Sequence, residues 1–346
     1  MASGVPCTLV FAPDWWRRHY GIAFDQAFYF DRDTRIRNDV LMRRALYERF
    51  GVGEPDPQPR PVVGSLHVAG GFVVPALLGV EIRFAENQAP WPVCANLSRE
   101  AVRRLRVPDI ETTWPFNRLI ADMDALQRDF GCVVGDFNPG GVLNTALDLR
   151  GNDLFIDMIE DPETAAHLFG VVAETERRVA QYTAARTGSS SIAVNRSILN
   201  VRPDLFLHSN CAVSMISPAL YQKMLLPYDA ELGRSFGGYG IHHCGANLHS
   251  FARAYAGLPL AFMDVGWGSD VARCSQAFPE AFLNLRLSPV RLAQAGAQEV
   301  AADAEHLLAA ANRADNVGLC CINIGGDAPD SNGLAVLRAA ERFTPA

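Results

Sequence analysis

From Pro61 onward the chain alternates short apolar runs with longer amphipathic stretches, and that alternation constrains the fold more than any other feature. The runs at residues 132–137, 191–195, 239–243, 261–265, 281–285 and 317–324 read as strands. The clearest helical pattern extends from Pro162 to Thr187. Asp161 stands at its N-cap, Pro162 suits the first turn and Gly188 follows the last. Further helical spacing covers residues 218–236, 289–295, 297–314 and 332–343. Strands separated by helices of this length pair in parallel through crossovers. The expected fold is therefore α/β, a (β/α)8 TIM barrel over residues 61–346, with its chemistry at the C-terminal ends of the strands.

Before the barrel, residues 33–50 place Ile36, Val40, Leu41, Leu46, Tyr47 and Phe50 at helical spacing among arginines, and residues 53–61 carry four prolines. Residues 1–60 thus read as an N-terminal helical extension joined by a surface connection. A hydrophobic fraction of 49% supports a sizeable core, and a charged fraction of 20% is too high for a membrane bundle. The net charge of -7 leaves no broad cationic surface for a phosphate backbone, so nucleic acid is not an expected partner. No stretch approaches the roughly 18 apolar residues that span a bilayer, and Met1 to Val10 lacks the pattern of a signal peptide, so no membrane association and a cytoplasmic location are expected. Eight irregularly spaced cysteines suit core residues, reactive thiols or metal ligands better than a disulfide framework.

The sharpest cluster of chemistry-bearing residues lies at Tyr239 to Asn247. Side chains alternate along a strand, so His242 and Cys244 share one face and His243 takes the other. If that face looks into the barrel, an imidazole and a thiol converge near its mouth, and both are preferred zinc ligands. The competing reading is a satisfied core histidine beside a small buried cysteine. A metal site needs a third ligand. Cys320 and Cys321 stand in a late strand and face opposite ways. Cys321 shares its face with Asn323, and two polar residues suit the mouth, which makes Cys321 the candidate and Cys320 the reserve. Cys211 and His208, three apart, form a further reserve. Asp264 ends a strand and can steer a metal-bound imidazole, accept a proton or cap the next helix; it and Asn323 are the catalytic candidates. Asp136 shares the ambiguity of Asp264. His19, His167 and His306 read as solvated surface residues. Gly140-Gly141 and Gly325-Gly326 lack nucleotide-loop spacing.

The order of these segments resembles the uroporphyrinogen decarboxylase superfamily from about Val80 onward. The resemblance rests on Leu149 to Asp153 with Glu160 to Glu163, Ile216 to Tyr221 with Leu226 to Tyr228, His242-X-Cys244-Gly245, Leu283 to Pro289, and Ile322 to Gly326 with Pro329. It implies a (β/α)8 barrel and two possible chemistries. The branch that moves methyl groups between corrinoid proteins and thiols binds zinc through His-X-Cys and a distant Cys, which here implies His242, Cys244 and Cys321. That reading carries Zn2+, a small-molecule thiol substrate, and a corrinoid on a partner protein. The metal-free decarboxylase branch uses an N-terminal arginine motif, of which Trp15 to Arg18 is a loose echo. A non-catalytic module that sequesters a metal, corrinoid or thiol compound is the third reading. The relatives set their last cysteine in the glycine turn after the strand, where this chain has Gly325-Gly326.

Overall fold

The computed structural model describes residues 4–64, 71–190, 201–313 and 315–344. Six parallel strands form one curled sheet: β1 (Cys7–Phe11), β2 (Leu205–Ser209), β3 (Gly238–His243), β4 (Leu260–Val265), β5 (Phe282–Arg286) and β6 (Val317–Ile324). Their order across the sheet is β1-β6-β5-β4-β3-β2. A further parallel pair, Val62–Val63 with Val134–Gly135, adds two short strands, and the whole is a TIM-barrel-like α/β fold. An antiparallel hairpin, Glu81–Ala85 with Gln88–Val93, stands apart from this sheet.

The N-terminal segment is not helical throughout. Cys7–Phe11 is an edge strand whose residues pair with Leu319 to Ile324, so the beginning of the chain joins the sheet through contacts more than 300 residues away in sequence. Behind it, α1 (Arg32–Phe50) follows the expected spacing, with Asp31 accepting a hydrogen bond from the Thr34 N–H at its start. The predicted strand at 191–195 lies outside the described residues. The strand in that part of the sheet is β2, whose residues are all buried.

The long helix α2 (Pro162–Thr187) has the expected bounds, capped by Asp161 and ended by Gly188. The single helix expected over 218–236 is two, Pro218–Met224 and α3 (Leu226–Ser235). Pro227 causes the break, because its ring clashes with the carbonyl four residues earlier and it has no N–H to donate. The remaining helices that frame the site are α4 (Leu248–Tyr255), α5 (Pro289–Gln294) and α6 (Ala297–Ala311). The apolar segment after Gly71 is core: Phe72, Val73, Val74, Leu77 and Val80 are all buried. Among the described residues no helix is long and apolar enough to cross a membrane.

Strand register sorts the barrel's interior into rows. Leu205, Leu207, Phe262 and Phe282 form an apolar floor. One row higher, the pairings Ser209 with His242, His242 with Asp264 and Asp264 with Asn284 line up polar side chains across four strands. The next row carries Arg286, paired with Cys320, and continuing β2 and β3 by two residues brings Cys211 and Cys244 to the same level. Polar groups thus gather toward the strand C-termini above a hydrocarbon base.

Candidate metal centre

His242 sits at the end of β3, fully buried, with its two ring nitrogens in different company. Nδ1 lies 2.5 Å from Asp264 Oδ2, and Nε2 lies 2.7 Å from Cys244 Sγ. Cys244 Sγ is in turn 2.8 Å from Cys211 Sγ. The ligand atoms of Cys211, His242 and Cys244 all fall within 4.8 Å of one another, the one such group among the described residues. Ligands at zinc bond lengths of roughly 2.0 to 2.3 Å in a tetrahedron stand about 3.5 Å apart, so the three side chains need spread by less than about 1 Å to surround one ion.

Asp264 fixes the imidazole. A carboxylate on Nδ1 holds the tautomer in which Nε2 can bind a metal, and such partners typically change metal affinity by roughly 10- to 100-fold. Asp264 is itself held, because Asn284 Nδ2 donates to its Oδ1 at 2.5 Å. Burial works against protonating His242, yet the neighbouring Cys244 sulfur and Asp264 outweigh it and raise its pKa to about 9.

Cys211 is set by the backbone that follows β2. Asn144, on the helix Val142–Arg150, donates to the Ser209 carbonyl at 3.1 Å and accepts from the Ala212 N–H at 2.8 Å, clamping both sides of the cysteine. The Asn210 N–H ties the same loop to the His242 carbonyl at 2.8 Å. Gly141 is required for this approach, since a Cβ there would lie 1.8 Å from the Ser209 oxygen. The same helix start, Val142 N–H, donates to His208 Nε2 at 3.1 Å.

Arg286 completes the cluster. It is 5% exposed, its guanidinium hydrogen-bonds Cys244, and its Nε and Nη1 are buried with no hydrogen-bond partner among the described residues. Burial opposes its charge, and the sulfurs of Cys320 and Cys244 together with Asp264 more than offset that cost. The hydrogen bond from Cys211, helped by His242 and Arg286, holds the Cys244 thiol far below its ordinary pKa despite burial. Cys211 moves the other way, because its proton is engaged by Cys244 and it is buried.

One consequence is measurable in metal-free protein. At pH 6 an ordinary thiol with a pKa of roughly 8.5 is less than about 1% ionised. Cys244 is expected to be the first cysteine alkylated by iodoacetamide at that pH, as read by peptide mass spectrometry. Cys211→Ser should slow the modification, and added zinc should block it.

The expected site residues divide as follows. His242, Cys244 and Asp264 converge. Cys211, a reserve, joins them as the third possible ligand and the second sulfur, in place of Cys321. Cys321 faces the helices, fully buried in the main apolar core, with its sulfur 3.8 Å from the Leu287 carbonyl. Cys320 is the interior-facing thiol of that pair, 3.0 Å from Asn284 Nδ2. The expectation inverted the two faces of β6 because Asn323, used as the guide to polarity, is not in regular register. Val10 pairs with Ile322 and Phe11 with Ile324, so Asn323 is the extra residue of a bulge, exposed and at φ 60°. His208 turns to the opposite side of β2 from the metal cluster, 3.3 Å from Glu176 and 3.1 Å from Asp229. Asp136 is buried and accepts from Ser189 Oγ. Arg286 and Asn284 of β5 belong to the cluster as well, through Cys244 and Asp264. Their spacing, two apart at the end of an apolar strand, was the available signal.

No family model matches the sequence, and no curated protein does. Among solved structures, a methyltransferase from Methanosarcina mazei superposes with a TM-score of 0.69 at 14% identity, covering 99% of this chain and 94% of that one. At that identity the likeness speaks for the fold alone. The chain therefore shares the barrel architecture of that protein along nearly its whole length.

Proposed function

We propose that the chain is a zinc-dependent methyltransferase that moves a methyl group between a corrinoid or other activated donor and a thiol substrate. The observation that carries this reading is the convergence of two sulfurs and a carboxylate-oriented imidazole, Cys211, Cys244 and His242, at the mouth of the barrel. Two thiolates and an imidazole are a donor set suited to zinc, and three protein ligands leave one position for a substrate. The structural neighbour's name, a methyltransferase, supports the same class. A converging thiol pair supports this chemistry over the metal-free decarboxylase.

Bound zinc would supply the positive charge that keeps a substrate thiol deprotonated near neutrality. The chain's own residues do the rest. Asp264, held by Asn284, keeps Nε2 of His242 turned toward the sulfurs. Arg286 places a fixed positive charge against Cys244, balancing the anionic ligands without occupying a ligand position. The floor of Leu205, Leu207, Phe262 and Phe282 closes the barrel beneath the site and keeps water out from that side. The donor would be a corrinoid brought by a partner protein. We place the reaction in the cytoplasm, where reducing conditions keep Cys211 and Cys244 from pairing as a disulfide.

The test is elemental analysis. Protein as isolated should hold about one zinc per chain, and His242→Ala and Cys244→Ser should lose both zinc and methyl transfer to a thiol. Unchanged zinc content in both variants would refute the assignment.

A further inference from the structure

The sheet itself makes neighbours of the two sulfurs in the cluster. Cys211 and Cys244 follow the paired residues Ser209 and His242 by two positions each on adjacent parallel strands, so their Cα atoms stand one strand spacing apart, about 4.8 Å. That lies within the roughly 4.4 to 6.8 Å that a disulfide bridges. Their Sγ atoms touch at 2.8 Å. Closing that gap to a bond of roughly 2.0 Å takes side-chain motion of under about 1 Å. The contact is held by the chain's own hydrogen bonds. Asn144 clamps the backbone on both sides of Cys211, and the Asn210 N–H ties the same loop to the His242 carbonyl. Access is selective as well. Cys211 and Cys244 are half-buried and within reach of a small oxidant, whereas Cys274, Cys320 and Cys321 are buried. The sulfur of the exposed Cys94 faces Asn96 and the Leu147 carbonyl instead of a thiol.

We propose that Cys211 and Cys244 form a redox switch: hydrogen peroxide converts the pair to a disulfide, the metal leaves, and a dithiol reductant restores the site. The release of metal rests on the zinc reading of the cluster. In the first step one sulfur attacks a peroxide oxygen; an S–O bond forms, the O–O bond breaks and hydroxide leaves, giving a sulfenic acid. In the second the other sulfur attacks the sulfenic sulfur; the S–S bond forms, the S–O bond breaks and a second hydroxide leaves. Two protons, from the thiols or from solvent, turn the hydroxides into water, and the two electrons lost by the sulfurs reduce the peroxide. The second step joins atoms already in contact, so it outruns the further peroxide attack that would carry the first sulfur to irreversible sulfinic acid. A disulfide removes both anionic ligands and leaves His242 alone, too few donors for a zinc site. Reduction reverses this, because a dithiol breaks the S–S bond by exchange, closes on itself as a disulfide and returns both cysteines as thiols.

The experiment treats zinc-loaded and metal-free protein with excess hydrogen peroxide, reading released zinc with a chromogenic chelator and mapping the cysteines by non-reducing peptide mass spectrometry. Metal-free protein should yield a cross-link between Cys211 and Cys244, and zinc-loaded protein should release about one zinc per cross-link formed. Dithiothreitol should then restore zinc binding to within about 2-fold of the untreated protein. Cys94→Ser combined with Cys132→Ser, which removes the two exposed thiols, should leave both readings unchanged. Cys211→Ser should instead let Cys244 proceed to sulfinic acid, which dithiothreitol does not reverse. Retention of zinc under peroxide, or sulfinic acid at Cys244 without a cross-link in the parent protein, overturns the switch and leaves the metal reading standing. A cross-link that forms in protein unable to bind zinc even when reduced overturns the metal reading, and the switch with it.

Discussion

Cys211→Ser is expected to release the metal, whereas Cys321→Ser is expected to leave one zinc per chain. The contrast follows from strand order. β2 adjoins β3, so Cys211 stands one strand spacing, about 4.8 Å, from the strand that carries His242 and Cys244. β6 lies three positions away from β3, a separation of roughly 14 Å along the sheet, with Asp264 of β4 and Arg286 of β5 between. Cys321 additionally faces the helices, where burial pushes its thiol up to about 12 and keeps it protonated. Losing a direct ligand should cost more than the roughly 10- to 100-fold that loss of an orienting partner costs. Zinc affinity should therefore fall by more than about 100-fold in Cys211→Ser, and methyl transfer with it. Competition with a chromogenic chelator measures the first, and transfer from methylcobalamin to a thiol measures the second. A protein that loses zinc on Cys321→Ser and keeps it on Cys211→Ser would place the centre at β6 and reverse the ligand assignment.

The same contrast shows what was legible in the sequence. That His242 and Cys244 share a face is a matter of alternation, and alternation can be read from spacing. Helix α2 was legible because Asp161, Pro162 and Gly188 mark both ends with local chemistry. The third ligand was not legible, because spacing does not say which strands become neighbours. Cys211 follows the short run Leu205–Ser209, which lacks the polar alternation of a half-buried strand because all of it is buried, so the cysteine read as part of a loop. β1 was hidden for a related reason: its pairing partner lies at the other end of the chain. Arg286 is not legible because arginines are rarely buried, and this one is held inside by sulfur and carboxylate neighbours that only the folded barrel supplies. The bulge at Asn323 broke the alternation on which the choice between Cys320 and Cys321 depended.

On the helix-facing side of β2 and β3, Asp229→Ala should be the most destabilising single substitution away from the metal. Asp229 lies on α3, is 1% exposed, and serves three buried partners at once. His208 Nδ1 is 3.1 Å from Oδ1, Asn210 Nδ2 donates to Oδ2 at 2.8 Å, and the Tyr221 hydroxyl donates to the same oxygen. Around this group the tyrosines Tyr221, Tyr239 and Tyr255 are fully buried, so water cannot replace a lost acceptor without opening the core. Alanine leaves those donors unsatisfied, each at a cost of roughly 1 to 3 kcal/mol. Because they share one pocket and can partly re-pair, the total should be about 3 to 5 kcal/mol, the range seen when one partner of a buried charged pair is removed. Asp229→Asn keeps an oxygen acceptor and the volume, so it should lose less than half as much. Chemical denaturation of the zinc-loaded proteins measures both, read as a fall in the midpoint at constant slope. The loss should also reach the metal centre, because Asn210, freed from Asp229, directly precedes Cys211 and bonds the His242 carbonyl. Weaker zinc retention in Asp229→Ala than in Asp229→Asn is the expected signature. Equal stability of the alanine variant and the parent would mean that the network on the helix side of the sheet does not hold the Cys211 loop in place.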